Sequence, residues 1–135
     1  MGVGTGSAAL AARDTGYPVI HQISCSLVYT ETSAKVVGII PAGSIIVRAS
    51  VLVSTAFNDS GTDLVTFGST TSANEFVSSG FSVATVGLQP GTLLAAAGVA
   101  QTNDTTVYVK YTGQNGNPSA GAGYAVVEFI PRPAA

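Results

Sequence analysis

From residue 19 onward, apolar side chains alternate with Ser, Thr and Gln in short runs, and each run is bounded by Gly, Pro, Asn or Asp. A period of two is what a half-buried β-strand needs, because successive side chains leave opposite faces of the pleat. The pattern predicts strands at 19–29, 35–40, 44–57, 64–68, 81–86, 98–101, 105–112 and 124–130. In the third, Ile45, Val47, Ala49, Val51 and Val53 share one face and are assigned to the core. Its other face, Ile46, Arg48, Ser50, Leu52 and Ser54, is mixed enough to touch a partner. In the seventh, Val107, Val109 and Tyr111 oppose Thr106, Tyr108 and Lys110, and in the last Ala125, Val127 and Phe129 oppose Tyr124, Val126, Glu128 and Ile130.

Turn chemistry supports the partition. Pro41-Ala42-Gly43 separates two apolar runs, Asn58-Asp59-Ser60-Gly61 closes the third strand, Gln89-Pro90-Gly91 reads as a turn, and residues 114–118 form a polar loop. Ser72-Ala73-Asn74-Glu75 has the spacing of a capping box for one helical turn, and 92–97 is a second segment without strand character. About eight short strands with almost no helix-period segment indicate an all-β fold, an antiparallel β-sandwich of jelly-roll type. Residues 1–16, rich in Gly and Ala and without alternation, read as an extended N-terminal arm. Residues 17–135 read as a single sandwich domain with a short extended tail, since Pro131 and Pro133 cannot donate to a strand ladder.

Composition narrows the function. Charged residues are only 9% of the chain, against about 25% in ordinary globular proteins. Hydroxyls and amides desolvate more cheaply than Lys or Glu, so such a surface suits contact with other proteins. Five Lys and Arg in total, spread singly, give no footprint for a phosphate backbone, and no nucleic-acid partner is expected. No apolar run is long enough for a membrane span, and Met1-Gly2-Val3-Gly4-Thr5-Gly6 lacks the basic and apolar regions of a secretory signal. Neither a membrane partner nor Sec export is expected.

Catalytic constellations fail on spacing. Asp14-Thr15-Gly16 matches the aspartic-protease triplet, yet no apolar strand leads into it, and a hinge between arm and domain is the better reading. The one histidine, His21, and the one cysteine, Cys25, would share a strand face about 13 Å apart, too far for direct proton transfer. Cys25 is expected to be a buried, inert apolar residue and His21 a surface or interface residue. Asn58, Asp59 and Asp63 could offer oxygen ligands to a cation, but without EF-hand spacing they also read as turn residues. Asn58-Asp59-Ser60 and Asn103-Asp104-Thr105 match the glycosylation sequon without a secretory context. No catalytic residue, cofactor, metal site or small-molecule substrate is expected.

Ile40-Pro41-Ala42-Gly43 leads into a β-branched strand ending in Ser54-Thr55-Ala56-Phe57. Then come Leu64-Val65-Thr66-Phe67-Gly68, Asn74-Glu75-Phe76, Val107-Tyr108-Val109-Lys110-Tyr111 and Ala120-Gly121-Ala122-Gly123. In order and spacing, over residues 36–130, these segments resemble the jelly-roll decoration, or cement, proteins of tailed phages. The resemblance implies a virion protein on the outer capsid surface, made in the host cytoplasm, whose partners are the major capsid protein and copies of itself in a homotrimer. It brings no catalytic motif. The alternative is a phage tail, fibre or baseplate adhesion module that binds a host-surface glycan or protein. Candidate interface residues are Leu10, Arg13, Asp14 and Tyr17 in and beside the arm, Arg48 on the mixed face of the third strand, and Arg132 in the tail.

Overall fold

A computed structural model describes residues 19–131; residues 1–18 and 132–135 lie outside the described residues, and with them the arm and most of the tail. Eight strands form in chain order: β1 (His21–Val28), β2 (Lys35–Ile40), β3 (Ile45–Thr55), β4 (Asp63–Gly68), β5 (Val77–Ser82), β6 (Gly87–Pro90), β7 (Thr105–Gly113) and β8 (Ala122–Ile130). They make two four-stranded antiparallel sheets, ordered β1-β8-β3-β6 and β2-β7-β4-β5. Along the chain the partners are β4 with β5, β3 with β6, β2 with β7 and β1 with β8. That nesting is a single long ribbon wound over itself, the jelly roll.

The inner faces of both sheets meet in one apolar core. Leu27, Ile46, Ala49, Val51, Val53, Ala125 and Val127 come from the first sheet, and Val37, Ile40, Val65, Phe67, Val107, Val109 and Tyr111 from the second. The tilted ring pair Phe57–Tyr111, with centroids 4.7 Å apart, closes the core at one end. Where β1 and β2 run side by side the sheets approach so closely that a Cβ on Gly38 would lie 2.9 Å from the Ile23 side chain.

Four expectations need correction. The core face of β3 is Ile46, Ala49, Val51 and Val53, with Val47 exposed, because a bulge between Ile46 and Arg48 puts one extra residue on β3 relative to β8 and inverts the alternation upstream. Gln89-Pro90 is not a turn but the end of β6, an edge strand that pairs only with β3, which is where a proline without an N–H is tolerated. The strands expected at 81–86 and 98–101 are displaced: β5 starts earlier, at Val77, and a four-residue 3-10 helix, η1 (Ala95–Gly98), precedes an irregular stretch. Ser72 caps no helix, because Glu75 turns back and accepts hydrogen bonds from the N–H groups of Ser69 (2.9 Å) and Thr70 (3.3 Å).

The strand directions give the sandwich two distinct ends. One gathers Val19 and Ile20 before β1, Pro131 after β8, the β2–β3 turn, the β4–β5 loop and the 91–104 loop. The other gathers the β1–β2, β3–β4, β5–β6 and β7–β8 loops.

Candidate functional site

The end built from the β3–β4 and β7–β8 loops is polar and internally satisfied. Asp59, almost fully buried, is its hub. Its Oδ1 accepts the N–H groups of Gly61 (2.7 Å) and Asn115 (3.0 Å), and its Oδ2 accepts that of Asn117 (2.9 Å). Desolvation pushes its carboxyl upward, but the converging N–H dipoles of Asn115, Gly61, Asn117 and Gly116 outweigh it and hold the group below the ordinary carboxylate range. Asp59 in turn donates its own N–H to Asp63 (3.0 Å), which also accepts the buried hydroxyl of Tyr111. The Asn58 side-chain Oδ1 accepts the N–H groups of Ser119 (2.7 Å) and Ala120 (2.9 Å), and Ser60 Oγ accepts from the side-chain amides of Asn115 and Asn117.

In this arrangement the residues considered as cation ligands serve another purpose. Both carboxylate oxygens of Asp59, and Oδ1 of Asp63, already accept from N–H and O–H donors, whose positive ends occupy the lone pairs a cation would need. No group of three His, Cys, Asp or Glu side chains suited to a metal is present among the described residues.

The same device recurs around the molecule. Glu31 accepts the Val28 N–H (2.9 Å) and pairs with Lys35 (2.6 Å), and Asp104 accepts the Ala42 N–H (2.9 Å). Glu31, Asp59, Asp63, Glu75 and Asp104 are thus loop staples rather than a solvating coat. Cys25 is half-buried against the core, and burial pushes its thiol above the ordinary range against the weaker pull of the Lys35 charge. His21 is exposed, its ring 5.8 Å from Phe129. A groove of about 380 Å³ between the β1–β2 and β7–β8 loops is lined by Thr32, Lys110, Thr112 and Pro118, among others. It offers one cation and several hydrogen-bonding groups but no carboxylate, His or Cys to form an acid–base pair.

Several large apolar side chains stay exposed. On the outer face of the first sheet, Tyr124, Leu52 and Leu88 are register neighbours on β8, β3 and β6, exposed by 55%, 48% and 46%. Side chains opposite each other on adjacent strands stand about 5 Å apart, so the three form one continuous strip. Arg48 is exposed on the same face opposite Glu128, and the two form no ion pair with each other. A second apolar group, Val19, Ile20, Leu94 and Val99, decorates the end where the described chain begins and finishes. Leu10, Arg13, Asp14, Tyr17 and Arg132 lie outside the described residues, so among the candidate interface residues the structure places Arg48 alone. The sequence pattern had Leu52 and Tyr124 on outward faces, but their adjacency depends on β8 lying beside β3, which no local pattern encodes.

No family model and no curated protein matches the chain. Among solved structures, a chain in the cyanophage Pam1 capsid asymmetric unit shares the fold with a TM-score of 0.59 and 17% identity, over 85% of this chain and 86% of that one. A chain in the acidic stable capsid structure of Helicobacter pylori bacteriophage KHP30 matches with a TM-score of 0.61 and 16% identity, over 84% of this chain and 89% of that one. At such identities the shared property is the fold.

Proposed function

We propose that this protein is a non-enzymatic structural component of a phage virion, seated on the outer capsid surface as an oligomeric decoration protein. The observation that carries the reading is the end-to-end nature of both structural matches: each spans most of this chain and most of a chain of similar length in a phage capsid. The surface chemistry supports it. Acids that staple loops, a low charge density and exposed apolar strips describe a protein whose surface is completed by neighbours.

Binding in many copies to a repeating lattice lets each contact be weak, since simultaneous engagement multiplies affinity through effective concentration. The partners in this reading are the major capsid protein and other copies of the chain, in a homotrimer. The Tyr124–Leu52–Leu88 strip is the contact between copies. The adhesion alternative would use the exposed Tyr124, whose register neighbours are Leu52 on β3 and Ser26 on β1.

Immunogold labelling of intact phage particles with antibody raised against the purified protein tests the reading. Label distributed over the head is expected; label confined to the tail, or absent from particles, overturns it.

A further inference from the structure

The two ends of the sandwich differ in what they leave for a partner. At the Asp59 end, the loop amides and carboxylates are already bonded to each other, and Val86 in the β5–β6 loop is an isolated exposed apolar side chain. At the opposite end Val19 and Ile20 are exposed by 62% and 61%, Val99 by 58% and Leu94 by 40%. The 91–104 loop that carries Leu94 and Val99 is held rigidly. Gln101 donates its N–H to Ser44 O (3.0 Å) and accepts that of Gly43 (2.6 Å), and Leu94 donates its N–H to Phe76 O (2.7 Å). Among the described residues of these loops the charges are spent internally, Asp104 on the Ala42 N–H and Glu75 on the 69–74 backbone, while Arg48 and Glu128 stand on the strands that flank this end. An apolar surface on a fixed backbone, free of unpaired loop charges, costs little to desolvate and little to order.

Val19 and Pro131, the first and last described residues, both lie at this end. Eighteen residues precede Val19 and four follow Pro131.

We infer that the end formed by Val19, Ile20, the β2–β3 turn and the 91–104 loop is the face that seats on the capsid shell, against an uncharged, apolar protein surface, with the Asp59 end directed outward. The inference rests on the proposed capsid location and adds the orientation and the contact residues. It also separates the two apolar surfaces, assigning the end to the shell and the Tyr124–Leu52–Leu88 strip to other copies.

The test is co-sedimentation of the full-length protein with isolated phage heads that lack it, together with its solution mass. Three forms are compared: wild type, the double variant Leu94→Asp with Val99→Asp, and Thr32→Asp as a control on an exposed loop residue at the opposite end. Because the altered side chains are exposed, the variants should keep the wild-type melting profile, and a second pair, Leu94→Ser with Val99→Ser, replaces the first if they do not. The expected result is at least tenfold weaker head binding for the double variant, with unchanged solution mass, and wild-type binding for Thr32→Asp.

Head binding that survives in the double variant but falls in Thr32→Asp reverses the orientation and overturns the inference. So does a double variant that loses oligomer mass, since this end would then join copies rather than seat on the shell. Failure of the wild-type protein itself to bind heads instead removes the capsid reading on which the inference stands.

Discussion

Tyr111→Phe isolates one bond of the polar end. The Tyr111 side chain is fully buried, its ring packs on Phe57, and its hydroxyl donates to Asp63, itself 3% exposed. The substitution keeps the ring and removes one oxygen, so no cavity of consequence forms. Hydrogen bonds to charged groups contribute roughly 1.5–3 kcal/mol, and Asp63 keeps the Asp59 N–H as a second donor, so a loss of about 2 kcal/mol is expected. For a domain of this size that is a fall in Tm of about 7 °C.

The pH dependence supplies an independent check. Burial, the bond to Asp63 and its negative charge raise the Tyr111 hydroxyl well above its ordinary value of 10.0. The unfolded chain therefore releases this proton near pH 10 while the folded chain retains it. The corresponding stability is complete below about pH 10 and lost above it. Urea unfolding of both proteins at pH 7 and across pH 9–11, followed by circular dichroism, reads both effects. A variant within about 0.5 kcal/mol of wild type, or with the same alkaline decline, would show that the Tyr111–Asp63 bond is not a stabilising element of the fold.

Acid should weaken the protein by an opposite route. Desolvation raises Glu31, Asp59 and Glu75, but their hydrogen bonds prevail and hold all three below the ordinary values of 4.5, 3.8 and 4.5. The folded state thus binds fewer protons than the unfolded one. The linked stability is present above those ordinary values and lost as pH falls below them, so Tm should drop between pH 5 and pH 3, and an unchanged Tm in a thermal scan would contradict the stapling role. Gly121→Ala should cost about 3 kcal/mol, because Gly121 adopts φ +149° and a Cβ there would lie 2.5 Å from the Phe57 ring; a denaturation midpoint equal to wild type would refute this. Leu52→Asp, at the centre of the outer strip, should shift the mass in light scattering towards that of one chain without lowering Tm by more than a few degrees. An unchanged mass would move the contact between copies elsewhere.

The alternating runs were legible as strands because burial on one face is a local pattern. β1, β2, β4, β7 and β8 fall close to where the alternation puts them. The bulge in β3 was not legible, since it is defined by the register against β8, a strand some eighty residues further along the chain. Pro90 misled because proline in a turn and proline on a sheet edge look alike until the neighbours are known. Glu75 misled for a related reason: a carboxylate three residues after a serine serves a helix N-terminus or a back-folded loop equally well, and the 67–76 backbone decides for the loop. At the candidate surfaces, low charge and a mixed face on β3 were visible in the sequence. The Tyr124–Leu52–Leu88 strip and the contrast between the two ends emerge only once the ribbon is wound.

The placement of β8 between β1 and β3 has a consequence for biosynthesis. β1 and β3 leave the ribosome early, yet the strand that pairs with both is the last of the described strands to be made. Until it emerges, β1 has no ladder partner and β3 holds only the short β6, and closing so long a loop is slow in sequence-distant β folds. Folding is therefore a property of the finished chain rather than of its growing fragments. A copy whose translation stops before Ala122 cannot assemble the first sheet or the strip across it, so the topology itself excludes incomplete copies from any assembly the protein joins.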